Sequence, residues 1–159
     1  MSNLIRRAMI AGSAILMASG QAAPTGMTLR ERVAVADFIG LVRVLSTHPF
    51  QEVGGTEDEG PKIYLQTADA VVLETIKGAH IPPQVTINFE LGPGNVFPGP
   101  KYEPNKAYLV FMGRDPGGRF STCEQGQYEL HDSTVSGWQQ STSPVPLDVI
   151  RSDILNAGR

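Results

Sequence analysis

The sequence has a single cysteine, Cys123, and only three histidines in 159 residues. One thiol cannot make an intramolecular disulfide, so stability must come from packing rather than crosslinks. His48, His80 and His131 stand more than thirty residues apart. Structural metal sites usually draw ligands as close pairs, and neither a Cys-x-x-Cys nor a His-Glu-x-x-His pattern occurs. No metal and no cofactor is expected. Positive charge is not in excess either: 13 Lys and Arg face 16 Asp and Glu. Affinity for nucleic acid and for anionic membrane surfaces rests on cations meeting phosphates, so neither is expected as a partner. No apolar run approaches the length of about 20 residues that a membrane-spanning helix needs.

What is present begins with a tripartite leader. Arg6 and Arg7 form a basic start, Ala8 to Ala18 an uncharged apolar stretch, and Ser19 to Ala22 a run of small residues. This is the layout of a cleavable secretion signal, with cleavage expected after Ala22. No cysteine follows the apolar stretch, which closes the lipoprotein route. Cleavage leaves 137 residues, with 11 basic against 16 acidic and a net charge of −5. That size suits one domain, residues 23–159, in a secreted or periplasmic product without stable membrane insertion after processing.

The mature part reads as mainly β. Thr28-Leu-Arg-Glu31 is a capping-box pattern that opens a short helix to about Ala36, with Leu29, Val33 and Ala36 on one stripe. Phe38 to Ser46 is β-branched and apolar, a strand. His48 to Lys62 carries Pro49, four glycine or proline breakers and an acidic cluster, so it reads as an exposed loop. Ile63 to Ile76 is a long strand stopped by Lys77-Gly78, and Val85 to Leu91 alternates as another. Residues 92–106 are too rich in proline and glycine for regular structure. Ala107 to Gly113 is an apolar run expected to be buried on both faces. Asp115-Pro-Gly-Gly118 turns it into a partner strand, Arg119 to Cys123. Gln127 to His131 adds an edge strand. Ser141 to Pro146 is a linker, and Leu147 to Leu155 carries apolar residues at helical spacing. A small five- or six-stranded Greek-key barrel of the OB type fits this order, with a short N-terminal helix and a C-terminal helix. A flat sandwich would want more strands of even length.

Four segments together resemble a known group: Ala36-Asp37 leading into Ile39-Gly-Leu-Val-Arg-Val44, Val71-Val-Leu-Glu-Thr-Ile-Lys77-Gly78, Tyr108-Leu-Val-Phe111, and Gly118-Arg-Phe-Ser-Thr-Cys123. In this order and spacing they resemble the TIMP-like, or netrin-module-like, OB-fold domains of exported bacterial proteins, over roughly residues 28–155. The resemblance implies the OB fold. The animal inhibitors of that superfamily chelate a protease zinc through a processed N-terminal cysteine. Here Ala23-Pro24 would stand at the mature N-terminus, so the chelating device is not implied.

The chemistry of the remaining candidates is thin. Cys123 is expected to be a buried thiol, and a Cys123–His131 nucleophile pair would still need an orienting acid and an oxyanion donor. Glu52, Glu57, Asp58 and Glu59 do not keep a calcium-loop register. Nothing pairs Asp69, Glu74 and Glu90 for acid–base work. Gly92-x-Gly94 precedes no helix, so it is no phosphate cradle. The loop from Asn95 to Tyr102 offers the best binding candidates, Asn95, Phe97, Lys101 and Tyr102. Its aromatics on a proline-stiffened backbone either meet a partner or fold back over the barrel mouth. Trp138 is expected to pack the last helix onto the barrel. The function these features favour is an exported non-catalytic binding module, protease-inhibitor-like or protein-interacting, whose partner is an extracytoplasmic protein. The alternatives are an envelope-assembly domain that adds strands at Gln127 to His131, and a small extracytoplasmic hydrolase using Cys123.

Overall fold

A computed structural model describes residues 26–49, 51–53, 63–91 and 101–159, with backbone alone at 51–53, 63–65, 90–91 and 123–125. The leader therefore lies outside the described residues. Helix α1, Leu29–Val35, starts at the capping box that its sequence announces. The Glu31 amide donates to Thr28 Oγ1 at 3.2 Å, and the Thr28 amide donates to Glu31 Oε2 at 2.8 Å. At the other end the Lys77 ammonium donates to the carbonyls of Val33 and Ala36 at 2.6 and 2.7 Å, meeting orphan helix carbonyls with positive charge.

Strands β1 (Phe38–Thr47), β2 (Gln51–Val53), β3 (Ile63–Lys77), β4 (Gln84–Leu91), β5 (Ala107–Arg114) and β6 (Phe120–His131) follow, then the two-residue strands β7 (Thr134–Val135) and β8 (Val145–Pro146), and helix α2 (Leu147–Ala157). Five of them close a barrel. β3 pairs antiparallel with β1 and with β4, β5 pairs antiparallel with β1 and with β6, and a short parallel contact of Ile87 and Asn88 with Phe120 and Ser121 completes the ring. This is the expected small OB-like barrel flanked by two helices. The Asp115 turn behaves as its residues require. The Gly118 amide donates to the Asp115 carbonyl at 2.8 Å, and Gly118 takes φ +81°, which a glycine adopts without a Cβ clash.

Three expectations need correction. His48 to Lys62 is not loop throughout, because Gln51–Val53 pairs with Ile63, Tyr64 and Leu65 as β2. A strand of three residues is too short to show alternation. Nor are Arg119 to Cys123 and Gln127 to His131 separate strands. They are one strand, β6, with Val110 facing Gln127 while Met112 faces Thr122. Residues 123–126 stand between these pairs against Phe111 alone, and that bulge breaks the period of two on which a strand is recognised. The end of β6 is not a free edge either, since Leu130 and His131 pair with β7.

Two apolar cores lie on opposite sides of the barrel wall. Inside are Phe38, Val42, Val44, Ala68, Ala70, Ile87, Tyr108, Val110 and Met112 among others. Outside, Ile39, Leu41, Leu109 and Phe111 meet Val33, Ala36, Val135, Trp138, Leu147, Ile150 and Ile154. β5 is thus buried on both faces, as its unbroken apolar run implies. Trp138 joins the outer layer as expected. It is 2% exposed, stacks on Phe111 at 6.2 Å, and donates from Nε1 to Asp153 Oδ2 of α2 at 2.9 Å. Leu155, counted in the helical stripe, points away and is 56% exposed.

α2 is also tied to β3 by a two-pronged pair: Arg151 Nε donates to Glu74 Oε1 at 2.7 Å and Nη2 to Oε2 at 2.5 Å. Those hydrogen bonds hold the Glu74 carboxyl below its ordinary value of 4.5. A group lowered in the folded state stabilises above its unfolded value and loses that contribution as the pH falls through its folded one. Both side chains are about one-third exposed, which limits the pair to about 1 kcal/mol or less. Glu74→Gln should therefore show a small loss of stability in urea titrations at neutral pH. The difference from the parent should vanish when the same titrations are run well below pH 4.5.

Candidate functional site

The site forms on the outer wall of the barrel, where β1, β3 and β4 lie side by side. Alternation sends Val44, Ala68, Ala70, Val85 and Ile87 inward, so their neighbours Asp69 and Thr86 face outward. Register then sets Ser46 opposite Asp69, and Asp69 opposite Thr86. Three short polar side chains stand in a row across three strands. A shift of register between Val44 and Ser46 pushes Leu45 out of the wall, leaving it 47% exposed. With Leu45 on one side and Gln84 on the other, the short residues lie at the floor of an open depression of about 450 Å³.

Asp69 is the hub. Thr86 Oγ1 donates to its Oδ1 at 2.8 Å, Ser46 Oγ to its Oδ2 at 3.4 Å, and His48 Nε2 lies 2.7 Å from Oδ2. β1's path holds His48 in place, its amide donating to the Thr67 carbonyl at 2.8 Å. The His48 hydrogen bond first, and that of Thr86 next, hold the Asp69 carboxyl below its ordinary value of 3.8. The site therefore carries a fixed anion at neutral pH with hydroxyls on both sides. Both hydroxyls donate to the same carboxylate, and neither Ser46 nor Thr86 is hydrogen-bonded to the imidazole by any contact seen here. The arrangement orients a carboxylate; it does not assemble a relay from hydroxyl through imidazole to acid.

No protein-family model and no curated protein matches this sequence.

The residues singled out from sequence fare unevenly. Asn95 and Phe97 lie outside the described residues, as do Glu57, Asp58 and Glu59. Lys101 is exposed, and its carbonyl accepts from the Tyr108 hydroxyl at 2.9 Å. Tyr102 is not displayed. It is 3% exposed, meets Phe89 and Tyr108 edge-on at 5.1 and 5.0 Å, and shares a hydrogen bond of 2.9 Å with Thr122 Oγ1. A ring with a polar tip closes the barrel end this way because it fills space and still satisfies its hydroxyl. Tyr102 is therefore a plug of the barrel mouth and not a surface anchor.

Asp69 and Glu74, unpaired on sequence grounds, do not meet each other; each has its own basic partner, His48 and Arg151. His48 is a solvated residue with a carboxylate partner, which reading it as an isolated loop histidine missed. The partner lies 21 residues away in sequence, and only strand register brings it near. His80 is exposed, and His131 lies 3.6 Å from Glu129 on the β6 surface. Cys123 is a β6 residue whose side chain lies outside the described residues. Among the described residues, no three His, Cys, Asp or Glu side chains converge to hold a metal, and no helix is long and apolar enough to cross a membrane.

Proposed function

We propose that this chain is an exported, non-catalytic binding module of TIMP-like or netrin-like OB type. In this proposal the leader is cleaved near Ala22, and the module engages an extracytoplasmic protein with the outer wall of β1, β3 and β4. One observation carries the reading. The barrel interior is filled by its own side chains, Phe38, Tyr108 and Met112 among the largest, so a ligand must be met on the outside. On that outside, exposed polar groups converge in a depression over Asp69. A packed barrel that presents a groove on its wall is a scaffold for recognition rather than a vessel for a cofactor. Protease-inhibitor-like activity stays a narrower form of the same proposal, by a route other than N-terminal chelation.

The test is site-specific photo-cross-linking in intact exporting cells. A benzophenone amino acid at Thr86 should yield a discrete adduct. The same group at Arg119, in the exposed turn between β5 and β6, should not. Equal yields from the two positions, or no adduct from Thr86, would refute the assignment of this wall as the binding face.

A further inference from the structure

We propose that the depression over Asp69 receives an arginine side chain of the partner protein, a step that rests on the binding function proposed above. The first ground is charge left over. Glu74 faces Arg151, Asp115 faces Arg119, and Glu129 faces Lys106, so each of these carboxylates has a permanent cation of its own chain. Asp69 faces only His48 among the described residues, a group that is charged only when protonated. Its carboxylate faces outward with no arginine or lysine ion-paired to it among the described residues, and a hydroxyl stands at each of its oxygens.

The second ground is shape. Ser46, Asp69 and Thr86 lie side by side on neighbouring strands, and strands are spaced about 4.8 Å apart. The side chains converge, Thr86 Oγ1 lying 2.8 Å and Ser46 Oγ 3.4 Å from the Asp69 oxygens. The carboxylate is thus extended at both ends by a hydroxyl acceptor, which suits a guanidinium that carries donors only and spreads them across a plane. A lysine ammonium is a point charge and would satisfy the centre of the row alone. Both hydroxyls spend their hydrogens on Asp69, which leaves only their lone pairs, as acceptors, for a ligand. Leu45, half-exposed at the rim, gives the methylene stem an apolar surface to lie on. The depression is open along the wall rather than closed around a ligand, which suits a side chain projecting from an extended segment of a protein.

The probe is a short peptide, acetyl-Val-Arg-Val-amide, titrated into the isotope-labelled mature chain and followed by amide chemical shifts. The control replaces arginine with citrulline, its uncharged near-isostere. Saturating shifts are expected at Ser46, Asp69 and Thr86, with affinity about tenfold lower for citrulline and for Asp69→Asn, the loss that follows from removing one charge-assisted hydrogen bond. Thr86→Val removes one flanking acceptor and should weaken binding less. Equal affinity for the two peptides, or undiminished binding by Asp69→Asn, overturns the proposal. If Asp69→Asn does not fold, the peptide comparison on the parent chain decides alone. Thr86 cross-links that persist without arginine preference would sink only the guanidinium assignment, whereas loss of both sinks the binding face as well.

Discussion

Gly40→Ala is expected to destabilise the barrel by about 3 kcal/mol, the upper end of ordinary overpacking. Gly40 lies in β1 where the pairing with β3 shifts register on both sides of it. A Cβ built there falls 2.2 Å from the Glu74 carbonyl oxygen and 2.7 Å from the ring of Phe38. The first neighbour is backbone of the next strand, and the second is a ring with no exposed surface in the barrel interior. Neither can step aside without opening the β1–β3 ladder or displacing the core. Gly113 supplies the comparison within the same protein, because a Cβ there meets nothing within 4 Å. Gly113→Ala should be neutral or slightly stabilising, since it removes backbone freedom from the unfolded chain. Urea midpoints of both variants against the parent measure the contrast. Two equal midpoints would mean that β1 and β3 do not approach as closely as described.

Trp138→Ala should cost about 3–5 kcal/mol, the range for truncating a large buried aromatic. The indole is the centre of the outer layer. It stacks on Phe111 of β5, meets Tyr128 edge-on at 5.3 Å, and reaches Asp153 of α2 by hydrogen bond. Removing it takes away part of the apolar surface that joins α2 to the barrel and one donor to Asp153, leaving Gln139 at 3.2 Å. Trp138→Phe keeps a ring against Phe111 while losing the hydrogen bond and part of the buried ring volume, so it should cost less than Trp138→Ala. The chain has one tryptophan, so the emission of the parent reports this layer alone. It should be blue-shifted in the native state and move red in the same urea transition that melts the barrel. If the emission shifts well before the strands melt, α2 and the barrel are separate cooperative units.

Much of the architecture could be read from local chemistry. The Thr28 capping box, the Asp115-Pro-Gly-Gly118 turn, the stop at Lys77-Gly78 and the two-sided run at β5 are each decided within a few residues, by backbone preference and by alternation of apolar side chains. Alternation misleads where it is cut or too short to see. The bulge in β6 made one strand look like two, and β2 has only three residues. Spacing alone assigns Leu155 to the buried stripe, yet the helix turns it to solvent.

The candidate site was not legible for a different reason. Ser46, Asp69 and Thr86 belong to three strands and His48 directly follows the first of them, so no short window of sequence holds the whole set. A histidine after a strand and an aspartate within one look ordinary in isolation. Tyr102 shows the same ambiguity in reverse, since an aromatic on a proline-rich loop can point either way until the barrel end it covers exists.

By itself, the order of residues determined that this chain makes a crosslink-free, mainly β domain with a helix at each end, because turn chemistry and side-chain period act over short distances. Only the tertiary structure decided which outward-facing side chains meet. Register between strands is a property of the closed barrel, and a slip of one residue would turn Asp69 from the wall into the core.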